Sequence, residues 1–446
     1  MVAVPKIYKL AGKVDPIVLS SGTARLVSTI ASPITALLII RFLSLTEQGY
    51  WYTFLGLVTI VNYAELGMGQ VIIQFAAYEW NEFSITHERL ESETLGRLKS
   101  IFRIALLFGG LTALFALLIA LPLGYFIMAG SNITGPQINW LGPWVLVALV
   151  APLNLALVFV NAFLEGCQMI VAANMRRGAQ AAAQVVAVFL VFTLGGKLWA
   201  LGAGQLASFA AGGLWIILTQ GAFLRSLLTG FFHNKQVSWR FEMWPLQWRY
   251  AVTWAAGPLV YGLFNPLIFS LAGSEAAGRF GFTFAIVGML LAYSQIWIAS
   301  RVAVFAKLNA GKRWQQLNSL FKRSAKNTLA TYVLGVVVLL VGLYVISQNY
   351  PSLAVRLLDP VSSLLLALGS GLSLIIFIIG YFVRSFKEEP FVRMAWINAA
   401  LVVTLAPAGI FFFQTRGASA AYLLSQSIVI PIAWQIYRKY RDRIKV

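Results

Sequence analysis

Two ionisable side chains stand within long apolar stretches of this sequence, where a charge is costly. Arg25 lies roughly 9 Å beyond the start of the first stretch, and Glu65 roughly 16 Å before the end of the second, at 1.5 Å per helical residue. A charge at the centre of a membrane helix costs on the order of 2.5–3.5 kcal/mol, so such groups usually contact a partner. We expect the two to pair or to contact a substrate, and we favour a substrate role for Arg25 with Glu65 orienting it. Snorkelling to the interface is the alternative for Arg25.

Four more polar residues complete the predicted substrate-binding set. Asn62 precedes Glu65 by three positions, so the two share a helix face. Tyr261 and Asn265 are four residues apart and share a face of a later apolar stretch. Arg249 lies at the start of that stretch, where it could meet an anionic headgroup; a plain interfacial anchor is the alternative reading.

No pattern of residues indicates an enzyme. The two histidines, His87 and His233, are far apart, Cys167 is the single cysteine, and no Cys or His cluster has metal-ligand spacing. The phosphate-binding pattern GxxxxGK[ST] is missing as well. The sequence therefore predicts no catalytic residue, no metal and no cofactor.

The composition requires a membrane to position these residues. Of the 446 residues, 59% are hydrophobic and only 11% are charged, whereas soluble domains carry about 25% charged residues. The net charge of +19 could suggest a nucleic-acid partner, but the basic residues fall between apolar stretches, so we predict none. An all-α integral membrane protein is expected, because helices satisfy their own backbone hydrogen bonds in lipid.

About twelve transmembrane helices are predicted, since a span needs about 20 apolar residues. The fifth is the least apolar, because it contains Gln180 and Gln184. The predicted spans are 19–40, 50–76, 101–127, 141–164, 178–195, 199–220, 249–271, 279–300, 327–347, 361–383, 392–413 and 417–437.

The loops between these spans alternate in charge. One side, which includes both termini, carries 28 of the 34 Lys and Arg residues, and the other side carries five. The positive-inside rule places the basic side in the cytoplasm, so we predict that both termini lie inside. The acidic stretch from Glu79 to Glu93 is interpreted as a solvated helical extension on that side.

The spans divide into two halves of similar plan. The turn after the first span contains Glu47 and Gly49 before an aromatic pair, and the turn after the seventh contains Glu275 and Gly278 before Phe280. We therefore predict an amino-terminal six-helix bundle at 1–220, a cytoplasmic linker at 221–248 and a carboxyl-terminal six-helix bundle at 249–446.

Prolines interrupt the first helix of each half. Pro33 lies in the first span, and Pro258 and Pro266 lie in the seventh. Proline removes a backbone donor and disturbs a helix, and interruptions at corresponding places in two halves point to a transport site. The three prolines are predicted hinges, with harmless packing kinks as the alternative.

Several short motifs resemble one family of transporters. The run 41–51 contains Glu47, Gly49 and Trp51, and the run 64–70 contains Glu65, followed by Leu-Gly-Met-Gly. Further similarity lies at 163–168, 278–281 and 310–314. Together they resemble the polysaccharide transporter branch of the multidrug/oligosaccharidyl-lipid/polysaccharide exporter (MOP) superfamily. That branch usually has aspartate where this chain has Glu65.

The resemblance implies a fold and a function. The fold would be a V-shaped pair of six-helix bundles around a polar cavity. The function would be a flippase that moves a polyprenyl-pyrophosphate-linked oligosaccharide, such as an O-antigen, exopolysaccharide or capsule unit, across the bacterial inner membrane by alternating access. Implied partners are membrane lipids and this lipid-linked substrate; proton or sodium coupling, and contacts with polysaccharide polymerase or export proteins, stay open.

Two other functions compete with the flippase. An ion-coupled multidrug or cation exporter of the related multidrug and toxin extrusion (MATE) branch would carry acids within its bundles, and Glu65 is the one clear intramembrane acid of this sequence. A membrane-embedded polysaccharide polymerase or glycosyltransferase would need a large outer loop, and the predicted outer loops are short.

Overall fold

The computed structural model describes residues 16–85, 91–130, 138–228, 236–386 and 388–443, without the side chains of 16–26, 28, 29, 82–94, 303, 306 and 310. All regular secondary structure in these ranges is helical. The helices are α1 Pro16–Phe42, α2 Leu45–Tyr63, α3 Met68–Ile85, α4 Glu91–Ala129, α5 Leu141–Gly166, α6 Ile170–Thr193, α7 Trp199–Leu228, α8 Trp244–Trp254, α9 Gly257–Tyr261, α10 Phe264–Ala272, α11 Ser274–Ala299, α12 Val302–Ala310, α13 Trp314–Asn349, α14 Pro351–Ala354, α15 Pro360–Arg384 and α16 Val392–Asp442.

The helices agree with a membrane protein of about twelve spans. In the described part of the chain, eight helical segments are long and apolar enough to cross a membrane, and α2 with α3 forms a ninth span that is bent. The described apolar part of α1 is short, α6 is diluted by polar residues, and α16 contains the last two predicted spans in one run. Large apolar side chains on α13 are exposed, as lipid contact requires: Val333, Leu334, Val337, Val338 and Val341.

The long run α16 is a helical hairpin. Its backbone leaves the helical region at Gln414, where φ is 50°. Gly409 and Gly417 then meet backbone to backbone, since a Cβ on Gly409 would lie 2.6 Å from the Gly417 carbonyl oxygen. Deeper in the hairpin the Gln426 amide donates to the Asn398 side chain across 3.2 Å. These contacts separate the eleventh and twelfth spans that the sequence predicts.

The second span is broken rather than continuous. Helix α2 ends at Tyr63 and α3 begins at Met68, with a bend of 42° between them. Leu66 and Gly67 in the intervening turn have φ values of 48° and 72°, the left-handed region that ends a helix. The prediction of one helix over 50–76 was wrong, because this left-handed turn interrupts the helix.

The seventh span is divided into three helices. Two short breaks, after Trp254 and after Tyr261, separate α8, α9 and α10. Pro258 stands in the first turn of α9 and Pro266 in the first turn of α10, where proline lacks only a donor that has no helical partner.

The chain forms two compact units. Unit 1 comprises residues 1–42, 61–125 and 139–251, and unit 2 comprises 43–60, 126–138 and 252–446. In unit 1, α7 packs against α5 and α6, α1 against α6, and α3 against α5; in unit 2, α16 packs against α10 and α15, and α11 against α13. Residues 43–60 therefore belong by their contacts to the unit that holds the carboxyl-terminal half.

Residues 236–243 of the predicted linker pack on α4 within unit 1. The backbone N–H of Val237 donates to the Ser100 hydroxyl at 2.8 Å. Trp239, which begins a single π-helical turn, stacks at a tilt on Phe108 with ring centroids 5.3 Å apart. Residues 236–243 thus form a fixed strap on α4.

Candidate transport site

Glu65 lies in the turn between α2 and α3, in unit 1. Its Oε1 accepts a hydrogen bond from the backbone N–H of Gly69 at 3.0 Å. The carboxylate therefore caps the start of α3, whose first N–H groups have no helical partner. Asn62, predicted to share its face, lies one turn earlier and is exposed.

Arg249 lies on α8 in unit 1, and its side chain is exposed. The neighbouring Tyr250 hydroxyl accepts a hydrogen bond from the Gln74 amide on α3 at 3.2 Å. Helix α8 is thereby held beside the helix that Glu65 caps, and Arg249 and Glu65 belong to the same unit.

Tyr261 and Asn265 belong to unit 2 and are both partly buried. The Asn265 amide donates to the Tyr52 carbonyl oxygen of α2 at 3.4 Å, while its own Oδ1 is buried without a partner among the described residues. An unsatisfied buried amide oxygen costs about 1–3 kcal/mol. Asn265 therefore has an acceptor to offer to a donor in unit 2.

Two predicted residues lie on α1. The side chain of Arg25 is outside the described residues, so its pairing with Glu65 stays a prediction. Helix α1 continues through Pro33 without a break, and the nearby Thr35 hydroxyl donates to the Ala31 carbonyl oxygen at 2.9 Å. The expected interruption at Pro33 is therefore not seen, and its role as a hinge stays a prediction, as it does for Pro258 and Pro266.

The candidate set is shared between the two units. Asn62, Glu65 and Arg249 are in unit 1 with Arg25, and Tyr261 and Asn265 are in unit 2. Among the described side chains no group of three His, Cys, Asp or Glu residues could hold a metal ion.

Polar side chains in unit 1 form hydrogen bonds between helices, and one of them belongs to the weakly apolar fifth predicted span. On α6, the Gln180 amide donates to the Ser208 carbonyl oxygen of α7 at 3.2 Å. Between α5 and α7, the Asn154 amide donates to the Gln205 side chain, also at 3.2 Å. These side chains are satisfied inside the unit, so their polarity is not lost to lipid.

An ion-pair cluster that the sequence analysis missed joins three elements of unit 1. The Arg97 guanidinium lies 2.7 Å from Glu79 and 2.7 Å from Glu242. Glu79 was expected to be solvated, but it is only 1% exposed. That expectation was wrong because Arg97, eighteen residues later in the sequence, returns beside it and compensates its charge.

Two turns of similar sequence meet within unit 2. The backbone of Gly49 touches that of Ser274, and a Cβ on Gly278 would lie 2.9 Å from the Leu45 carbonyl oxygen. The fully buried Gln48 amide donates to the Gly278 carbonyl oxygen at 2.9 Å. Arg356 completes the contact, since its guanidinium donates to the Leu43 carbonyl oxygen at 2.7 Å and to the Gln48 side chain at 3.2 Å. We call this contact the turn junction.

Comparisons with known proteins identify the fold. No protein-family model matches the sequence, and no curated protein sequence matches it. The MATE multidrug transporter DinF-BH superposes with a TM-score of 0.63 at 11% identity, over 96% of this chain and 95% of its own. An inward-facing multidrug resistance MATE family transporter of the MOP superfamily gives a TM-score of 0.57 at 14% identity, over 93% and 99% of the two chains.

A third similar structure has a different description. It is a MOP superfamily transporter from Pyrococcus furiosus, whose binding pocket of reverse polarity is said to suggest a different function. Its TM-score is 0.56 at 13% identity, over 97% of this chain and 96% of its own. This chain therefore shares its fold with these three transporters. The shared fold agrees with the predicted superfamily, and the polysaccharide branch stays a prediction.

Proposed function

We propose that this chain exports an amphiphilic solute across the bacterial inner membrane by alternating access, and that the solute is a polyprenyl-pyrophosphate-linked oligosaccharide. The fold supports transport. The choice of solute is supported by the residues, through the resemblance to polysaccharide transporters and through the distribution of charge.

The observation that supports this choice is that the described carboxylates already have bonding partners. Each of the ten acidic side chains that the structure describes has a hydrogen-bonding or ionic partner within its own unit. Glu65 alone among them lies in the middle of a span, and its partner is a backbone N–H. A cation site needs an acid that is free to bind the cation or a proton, whereas an anionic headgroup needs basic side chains.

A second candidate, an ion-coupled multidrug exporter, is favoured by the structural neighbours. Two of the three structures described above are multidrug transporters. In this candidate the Glu65 carboxylate would leave Gly69 and bind a cation or a proton. The identities of 11–14% show the fold alone, so the residues of this chain must decide.

The decisive experiment compares a deletion strain with its parent. For the lipid-linked substrate we expect loss of one surface glycan and accumulation of its lipid-linked precursor on the cytoplasmic side. Glu65→Gln should restore export, because the amide oxygen still accepts from Gly69. Intact glycan together with increased sensitivity to cationic dyes, and no rescue by Glu65→Gln, would instead establish the multidrug exporter.

The proposed orientation has its own test. Reporter fusions after residues 312 and 440 should show cytoplasmic activity, and a fusion after residue 353 should show activity on the outer side. A reversal at any of the three positions would contradict both the membrane orientation and the cytoplasmic termini.

A further inference from the structure

A buried arginine in unit 1 forms no ion pair among the described residues. Arg176 lies in the second turn of α6 and is only 5% exposed. Its Nε is buried without a hydrogen-bond partner, and no ion pair of Arg176 is found among the described residues. Burying a charge without compensation costs several kcal/mol, so a chain that keeps such a group gains from a ligand that neutralises it.

The nearest charged groups do not compensate Arg176. Arg177, the next residue, carries the same charge and forms an ion pair with Glu165 on α5. The Arg177 side chain also donates to Asn174. Glu165, the one carboxylate within electrostatic reach, already pairs with Arg177. The three charged groups therefore carry a net positive charge, and the buried Arg176 is the one without an ion-pair partner.

The face of α6 that carries Arg176 turns toward α7. Gln180 stands one turn further along the same face and donates its amide to the Ser208 carbonyl oxygen. At this crossing Gly212 allows close approach, while no atom lies within 4 Å of a Cβ on Gly213. Arg225 is the one charged residue within α7, and it is exposed near the end of that helix. Apart from Glu165, which already pairs with Arg177, the described elements that pack around this face therefore offer no acid to Arg176.

We propose that Arg176 anchors a site for a phosphate-bearing anion at the inner end of unit 1. A guanidinium presents its N–H groups in a planar fork that matches phosphate oxygens, and such charge-assisted bonds are stronger than neutral ones. The phosphate could belong to a phospholipid headgroup or to a pyrophosphate-linked amphiphile. The site does not depend on which solute the protein transports.

The test uses the purified full chain in a maltoside detergent, with inorganic pyrophosphate as the probe. A ligand that binds only the folded protein raises its melting temperature with concentration. We expect pyrophosphate, but not sodium chloride at equal ionic strength, to raise the melting temperature. Arg176→Gln should weaken the binding at least tenfold, and Arg176→Lys should weaken it less because it keeps the charge.

Arg225→Gln is the matched control, because it removes one positive charge from an exposed side chain of the same unit. It should bind pyrophosphate as the native chain does. Without the anion, Arg176→Gln should melt at or above the native temperature, since it removes an uncompensated buried charge. A lower melting temperature of Arg176→Gln with undiminished binding would assign Arg176 a structural role and overturn the proposal. Equal losses in both variants, or no effect of pyrophosphate on the native chain, would also overturn it.

Native mass spectrometry separates the two sources of phosphate. Retention of phosphatidic acid that depends on Arg176 identifies a lipid headgroup, and retention of a polyprenyl pyrophosphate that depends on Arg176 identifies the amphiphile. Either result supports the site. If the deletion strain keeps its glycan while Arg176 still binds the anion, the flippase proposal fails and the anion site stands.

Discussion

Replacement of Gly278 by alanine should weaken the turn junction. The added Cβ would lie 2.9 Å from the Leu45 carbonyl oxygen and 3.0 Å from the Gly49 backbone nitrogen. Both are backbone atoms, so neither can rotate away, and comfortable contacts lie at about 3.5–4.0 Å. The residues around Leu45 must therefore move by about 0.5 Å or more.

The expected magnitude follows from a comparison within one helix. Overpacking of this kind costs about 1–3 kcal/mol, while replacing glycine by alanine in a helix gains about 1 kcal/mol. Gly288, also on α11, is exposed and has no atom within 4 Å of its Cβ position, so Gly288→Ala shows the helix gain alone. We expect Gly278→Ala to be less stable than Gly288→Ala by about 1–3 kcal/mol, a lowering of about 2–4 °C per kcal/mol for a domain of 150–250 residues.

The assay combines melting with chemical labelling. In a Cys167→Ala background, Ser274→Cys reports the junction, because Ser274 is only 6% exposed. A membrane-impermeant maleimide added from outside should label this cysteine faster in Gly278→Ala than in Gly288→Ala. Equal melting temperatures and equal labelling rates in the two variants would refute the claim that the glycine contact closes the junction.

Three further predictions concern charges and prolines. If Arg25 binds substrate, Arg25→Ala should abolish export at native protein level. If Arg25 instead pairs with Glu65, Arg25→Ala and Glu65→Ala should each lower the protein level, and the double variant should restore it. Immunoblots measure the protein level and complementation measures export. Pro258→Ala and Pro266→Ala should change the export rate more than the protein level, and native export by both would contradict the hinges. Burial raises the pKa of Asp359, but hydrogen bonds from its helix-capping contacts outweigh this and hold the pKa below its ordinary 3.8. The stability that Asp359 contributes, about 0.5–2 kcal/mol for a cap, is therefore present above that pH and lost as the pH falls below it, so the melting difference from Asp359→Ala should shrink in acid.

The spans could be predicted from the sequence because hydropathy and loop charge act locally. The break between α2 and α3 could not, although Glu65 and Gly67 were both noted, because glycine and leucine also fit a straight helix. What ends the helix there is the left-handed backbone of Leu66 and Gly67, which the capping bond to Gly69 accompanies. A capping acid three to four residues before a glycine-rich helix start is the signal that could have found it.

Local sequence patterns could not predict contacts between residues that are far apart in the sequence. Glu79 reads as one of several acids at a solvated helix end, and only the fold places Arg97 beside it. Arg176 reads as one of two adjacent loop arginines, yet Arg177 is paired and half exposed while Arg176 is buried. In contrast, the repeated turns at Gly49 and Gly278 were found from sequence, and unit 2 shows them in contact.

The sign of the charge in the membrane, rather than the fold, separates the two candidate functions. A protein with this fold is described as having a binding pocket of reverse polarity that suggests a different function, so the fold alone does not select the substrate. In this chain the described acids already have partners, whereas the Nε of the buried Arg176 has none. Releasing the Glu65 carboxylate to a cation would leave the Gly69 N–H without its acceptor, at about 1–3 kcal/mol for a buried donor. This cost counts against the cation exporter, independently of what Arg176 binds, and Glu65→Gln is the variant that tests it.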